Sequence, residues 1–204
     1  MNYLAFDTSG TFLTVTAKGK DSFFNHIKEC TRSHSVILMD EIENCLEKAS
    51  LELADVDVFA CSVGPGSFTG IRIGVATAKA FAYALSKKVL AVTSFLALAY
   101  NVTDNTDKLT LVNARHDNYY ACGFNANNEV ILPPCFLTKE EVLAKKDGFT
   151  VISDTEVEGE NFIVGDIAEG FRLAVEDNLD KASFDVESLV PLYVKKSQAE
   201  EELC

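Results

Sequence analysis

The 204-residue chain carries 18 Lys and Arg against 31 Asp and Glu, a formal net charge of −13 with a pI near 4.6. A hydrophobic content of 48%, 14 Phe and a mean hydropathy of +0.08 exclude an intrinsically disordered chain. The acidic balance disfavours direct nucleic-acid binding, because phosphates repel it and no Lys/Arg cluster compensates.

In chain order, Tyr3 to Phe6 and Phe12 to Ala17 read as a β-hairpin around the turn cluster Asp7-Thr8-Ser9-Gly10-Thr11. Ser22 to Lys28 is a weaker third strand. Ser33 or Ser35 can cap a helix from about Val36 to Ala49, in which Leu38, Ile42, Cys45 and Ala49 recur at helical spacing. Met39 and Leu46 widen that stripe. Val58 to Val63 is a buried-type strand, followed by the turn Gly64-Pro65-Gly66-Ser67-Phe68-Thr69-Gly70 and a helix from Ile71 to about Ser86. Val89 to Val92 is a strand and Ser94 to Tyr100 a helix. The polar stretch Asn101 to Lys108 reads as a lobe boundary, dividing the chain into 1–100 and 101–204. Beyond it, Leu109 to Asn113 and Tyr119 to Phe124 pair around Arg115-His116-Asp117-Asn118. A short helix from Thr138 to Lys145, strands at Phe149 to Ile152 and Phe162 to Val164, and a helix from Gly165 to about Glu176 complete a mixed α/β pattern.

The segment Gly64 to Gly74 is the most informative. Ser67 and Thr69 can cap the next helix, and amides at a helix N-terminus can face an anion. The segment is thus either a phosphate or carboxylate cradle or a strand-to-helix turn that needs glycine. It is not a P-loop, since no Gly-Lys-Ser/Thr ending follows. Asp7 either serves a metal–nucleotide phosphate, acts as a base, or closes its hairpin turn. The helix from Ile71 to Ser86 is apolar nearly all round, with only Arg72 and Lys79 charged, so it must be covered by the chain's own core or by a partner. His26, His34 and His116 are isolated and the six cysteines dispersed, which leaves metal binding little support. No apolar stretch suits a bilayer span or a secretion signal, so a cytoplasmic protein with reduced thiols is expected.

Three strings resemble one family. They are Phe6-Asp7-Thr8-Ser9, the run from Val63 to Gly74, and Pro191-Leu192-Tyr193-Val194-Lys195-Lys196-Ser197-Gln198-Ala199-Glu200. Together with Ser33-His34-Ser35, Thr93-Ser94-Phe95 and Asn113-Ala114-Arg115, they are similar to the TsaB (YeaZ) family of the bacterial tRNA threonylcarbamoyladenosine machinery. The likeness runs over nearly the whole chain and is looser in the second half. It implies a two-lobed α/β fold like the actin, hexokinase and acetate kinase ATPases, with a small, degenerate second lobe.

The resemblance implies a non-catalytic subunit that binds and supports a TsaD catalytic subunit, which threonylcarbamoylates adenosine beside the anticodon. The alternatives are an ATP-dependent phosphotransferase or ATPase of the same superfold, or a glycoprotease-like metallopeptidase. The implied partners are TsaD, the small ATPase TsaE and a second copy of this chain when TsaD is absent, with tRNA touched only indirectly. ATP and metal are expected on the partners, and no cofactor on this chain. TsaD-type chains place a metal-binding His-x-x-x-His where Ser94 and Leu98 stand here, and their second glycine-rich loop corresponds to the glycine-free Asn113-Ala114-Arg115-His116-Asp117. Asp7, Gly64, Gly66, Ser67 and Thr69 are then relics of an anion site. The expected partner surface is the two early helices, through Leu38, Met39, Ile42, Leu46, Val75, Ala78 and Ala82.

Overall fold

The computed structural model describes residues 1–20, the backbone of 23–29, and 34–195. The Ser33 cap, the His26 side chain, Cys30, Cys204 and the tail from Lys196 onward lie outside the described residues.

The first sheet is built from β1 (Tyr3–Asp7), β2 (Phe12–Lys18), β3 (Phe23–Glu29), β4 (Val58–Gly64) and β5 (Lys88–Thr93), in the order β3-β2-β1-β4-β5. The pairs β1–β2 and β2–β3 are antiparallel, while β1–β4 and β4–β5 are parallel. The second sheet is built from β6 (Lys108–Asn113), β7 (Asn118–Phe124), β8 (Val130–Thr138), β9 (Thr150–Ser153) and β10 (Ile163–Val164). Its order is β10-β9-β6-β7-β8, with β6–β7 and β7–β8 antiparallel and β6–β9 and β9–β10 parallel. The two sheets share one topology, element for element. This is the expected two-lobed α/β architecture. The second lobe keeps every strand, and its reduction lies in the helices instead. Only the seven-residue α4 (Lys139–Lys145) follows its third strand, and no helix joins β9 to β10.

In the first lobe α1 (His34–Lys48) and α2 (Phe68–Leu85) pack on the sheet, and their inner faces meet Leu4, Phe6, Leu13, Phe59 and Cys61 in one core cluster. Serine 67 caps α2 by accepting a hydrogen bond from the Gly70 amide at 3.2 Å, so the helix starts three residues before the expected Ile71. Between the lobes, α3 (Ser94–Ala99) and α5 (Ile167–Asp177) cross. Phe95 and Leu98 of α3 enter the core of the second sheet with Val112, Phe124 and Ile152. Phe171 and Ala174 of α5 enter the first with Tyr3, Ala5 and Val58. Helix α5, assigned from sequence to the second half, therefore packs on the first sheet, because each lobe supplies the helix that covers its neighbour. Glu176 fixes this exchange by accepting hydrogen bonds from the Tyr3 hydroxyl at 3.1 Å, Lys18 Nζ at 2.9 Å and an Arg172 guanidinium nitrogen at 2.8 Å.

Strand β8 carries Pro133 and Pro134, which argue against a strand in sequence. It is an edge strand, so one of the two missing N–H groups faces away from the ladder, and the pairing with β7 shifts register between Leu132 and Cys135, which accommodates the other. Among the described residues no helix is long and apolar enough to cross a membrane. Among them Cys61, Cys122 and Cys135 are free thiols, and burial pushes Cys45 and Cys122 up to about 12, which keeps both protonated.

Candidate functional site

A cleft opens between the lobes above the crossed helices. Two adjoining depressions of about 440 and 650 Å³ share Gly10, Thr11, Asp154, Thr155 and Ile167 in their walls. Asp7 lies in the wall of one, and Gly66, Ser67, Thr69 and Arg115 in the wall of the other. The fold therefore brings Asp7 and the glycine turn to one cleft. Both stand at the C-terminal ends of neighbouring parallel strands, β1 and β4.

The Asp7 carboxylate is buried and accepts a hydrogen bond from the Ser9 amide at 2.7 Å. Burial raises its pKa above the ordinary carboxylate value, and hydrogen bonds from Ser9 and Ser62 pull it partly back. Behind the carboxylate, three buried hydroxyls form a triangle. Ser62 Oγ donates to Ser9 Oγ at 3.3 Å, and Ser94 Oγ lies 3.4 Å from Ser9 Oγ and 3.5 Å from Ser62 Oγ. Across the cleft, Asp154 accepts from the Asn113 amide at 2.9 Å and is likewise raised, first by burial.

The glycine turn is closed largely upon itself. The Ser67 amide donates to the Ser9 carbonyl at 2.7 Å, and the Thr8 hydroxyl donates to the Gly70 carbonyl at 2.7 Å. Gly64 has φ +95°, a conformation that glycine adopts without steric cost. Gly70 lets α2 approach so closely that a Cβ there would strike the Thr8 carbonyl oxygen. These contacts explain the glycines by the packing of α2 against the β1–β2 turn. Ser67 and Thr69 remain exposed at the cleft wall, beside the helix N-terminus.

The counterpart turn of the second lobe joins β6 to β7 without glycine. Arg115, His116 and Asp117 nevertheless take positive φ values of 69°, 53° and 56° in succession. Flanking asparagines hold them there. Asn113 Oδ1 accepts from the Arg115 amide at 2.7 Å, and Asn118 Nδ2 donates to the carbonyls of Arg115 at 3.2 Å and His116 at 2.8 Å. Sequence reasoning looks for glycine where a phosphate loop turns left-handed; the signal available instead was the pair of asparagines bracketing the turn.

Ser94 and Leu98, one helical turn apart on α3, are both buried. Ser94 joins the hydroxyl triangle, and Leu98 packs in the core of the second sheet. Among the described residues no group of three or more His, Cys, Asp and Glu is placed to hold a metal ion.

The expected partner residues distribute differently from the sequence reading. Leu38, Ile42, Leu46, Val75, Ala78 and Ala82 are buried in the first core, because α1 and α2 need that stripe to cover the sheet. Of the seven, only Met39 stands out, at 51% exposure. Turned away from the core, α2 presents Arg72, Ala76, Ala80 and Ala84 at successive i, i+4 positions, all exposed. Tyr83 flanks this stripe at 82% exposure. On α1, Val36 and Met39 are also exposed.

The family model of TsaD, tRNA N6-adenosine threonylcarbamoyltransferase, matches residues 26–163. Among curated relatives, the tRNA threonylcarbamoyladenosine biosynthesis protein TsaB of Buchnera aphidicola (Baizongia pistaciae) is 34% identical over 50% of this chain and 47% of its own length. The protein of the same name from Bacillus subtilis is 27% identical over 98% of this chain and 96% of its own. The chain thus spans about half the length of the first relative and nearly all of the second. The solved structure of YeaZ from Pseudomonas aeruginosa shares the fold, with a TM-score of 0.78 at 22% identity, covering 94% of this chain and 99% of that one.

Proposed function

The chain belongs to the TsaD family, within its TsaB (YeaZ) branch, and on that premise we propose that it serves tRNA threonylcarbamoyladenosine biosynthesis as a subunit that binds and supports a TsaD catalytic subunit. The observation that carries this reading is the exposed face of α2. Ala76, Ala80 and Ala84 make a stripe of small side chains that another helix can approach closely, and Tyr83 beside it is an anchor of the kind that dominates interfaces. The sheet does not use this face, which accounts for the alanine-rich, almost uncharged pattern of the helix.

A supporting rather than catalytic role rests on the residues themselves. Ser94 and Leu98 occupy the positions of the expected histidine pair, and neither side chain replaces an imidazole on a metal. The Ser67 amide and the Gly70 carbonyl are engaged by Ser9 and Thr8, so the turn spends part of its polar capacity on its own fold. The active groups, ATP and metal then belong to partner subunits, and the acidic surface leaves tRNA contact mainly to them. In the absence of TsaD the same face of α2 pairs two copies of this chain, and TsaE joins the assembled pair. This is work for the cytoplasm, where tRNA is modified.

The test is reconstitution. With tRNA and threonylcarbamoyl-adenylate, the chain alone should form no modified tRNA above background, and addition of the TsaD subunit should restore turnover. Modification by the chain alone, at a rate near that of the complete system, would refute the supporting role.

A further inference from the structure

We propose that residues 189–195 form a strap that locks the two lobes together across the cleft, a second attachment beside the crossed helices. After α5 the chain returns along the first lobe, and Leu189 is buried in its core. Three residues later the Leu192 amide donates to the Val63 carbonyl, immediately before the glycine turn, at 2.8 Å. The Leu192 side chain packs against both the first-lobe core and the cluster of Phe95, Val112, Cys122 and Phe124 under the second sheet.

Tyr193 is clasped to the start of α2. Its hydroxyl accepts a hydrogen bond from Arg72 Nε at 2.7 Å, and its ring lies 5.1 Å from that of Phe68. The Arg72 guanidinium lies 3.8 Å above the Phe68 ring, so cation, phenol and phenyl form one stack. The next two residues reach the other lobe. Val194 packs against the second-sheet cluster, and Lys195 Nζ sits 5.1 Å from the ring centroid of Phe136 on β8. Phe136 in turn meets Tyr120, a cleft-wall residue, edge-on at 5.9 Å.

Two lobes joined at a single hinge move relative to each other by default. Here the crossing of α3 and α5 is one junction, and the segment through Leu192, Tyr193, Val194 and Lys195 is another, on the side of the glycine turn. Two separated junctions remove the hinge freedom that one would leave. The strap therefore holds the cleft at a set width, and its release lets the cleft open.

The test measures the interlobe distance directly. Spin labels are placed at E47C on α1 and E140C on α4, both exposed, with Cys30, Cys135 and Cys204 replaced by serine. Pulsed dipolar spectroscopy of the labelled full chain, diluted in an excess of unlabelled chain so that paired copies carry one labelled protomer, should give one narrow distance distribution. Tyr193→Ala, which removes the clasp, and Val194→Asn, which weakens the grip on the second lobe, should each add a second population at longer distance while circular dichroism stays unchanged. Unchanged narrow distributions in both folded variants overturn the proposal. Unfolding of both also overturns it, since the segment is then part of a core and not a strap between two stable lobes.

Discussion

The Thr8 hydroxyl and the Gly70 carbonyl, 62 positions apart in sequence, are joined by a buried 2.7 Å hydrogen bond that fastens the first turn of α2 to the β1–β2 hairpin. The missing side chain at Gly70 is what allows that approach. A methyl group there meets the Thr8 carbonyl oxygen, a backbone atom that cannot swing aside.

Gly70→Ala should therefore destabilise the fold by ~1–3 kcal/mol, the usual range for overpacking. Gly10→Ala, at a position with open space around it, should stay within about 0.5 kcal/mol of the parent. Urea unfolding of both variants checks the pair. Equal midpoints would show that close packing is not the reason for glycine at position 70.

Asp7 makes stability depend on pH. Burial raises its pKa above the ordinary 3.8 more than the Ser9 and Ser62 hydrogen bonds lower it. In the window between the unfolded and folded values, the native state holds a proton that the unfolded chain has released, so stability falls as pH rises through it. Asp7→Asn has no such proton to lose, and its loss of stability over that window should be smaller than the parent's. Asp154 is shifted in the same direction and leaves a residual slope. Urea midpoints from about pH 4 to about pH 7 measure the difference. Parallel profiles for parent and Asp7→Asn would contradict this account of the carboxylate.

Most elements were legible because their signals are local. The β-branched run from Phe12 to Ala17, the capping Thr138 and the glycine-rich turn each act within a few residues. Which face of a helix is buried is not local. Met39 and Ile42 are both apolar and three residues apart, yet Met39 faces out and Ile42 faces the sheet, since the register is set by strands elsewhere in the chain. Strand β8 was hidden by Pro133 and Pro134, whose tolerance depends on an edge position and a register shift visible only in the assembled sheet. The repetition of one topology in both lobes was invisible because the sequences of the two halves no longer match. For the cleft, Asp7 and the glycine turn could be read from residue types, whereas Asp154 required the fold.

The burial pattern separates two sets of substitutions. Aspartate at Ile42, Leu46, Val75 or Ala82 places an unpaired charge in the first core and should cost on the order of 4 kcal/mol, enough to unfold a marginal domain. Aspartate at Ala80, on the exposed face of α2, should change stability by about 0.5 kcal/mol or less, apart from its helix propensity. Thermal melts followed by circular dichroism distinguish the two sets. A folded, cooperative Ile42→Asp variant would contradict the assignment of this stripe to the core.

The face of α2 carries the central claim, and sedimentation velocity of a mixture with the TsaD subunit from the same cell tests it most directly. The parent chain should co-sediment with TsaD as a stable pair. Ala80→Asp, equally well folded, should lose the pair together with its own self-association, because a charge buried unpaired at the centre of an interface opposes binding by more than ~1 kcal/mol. A parent that leaves TsaD free, or an Ala80→Asp variant that captures it as well as the parent does, would contradict the account.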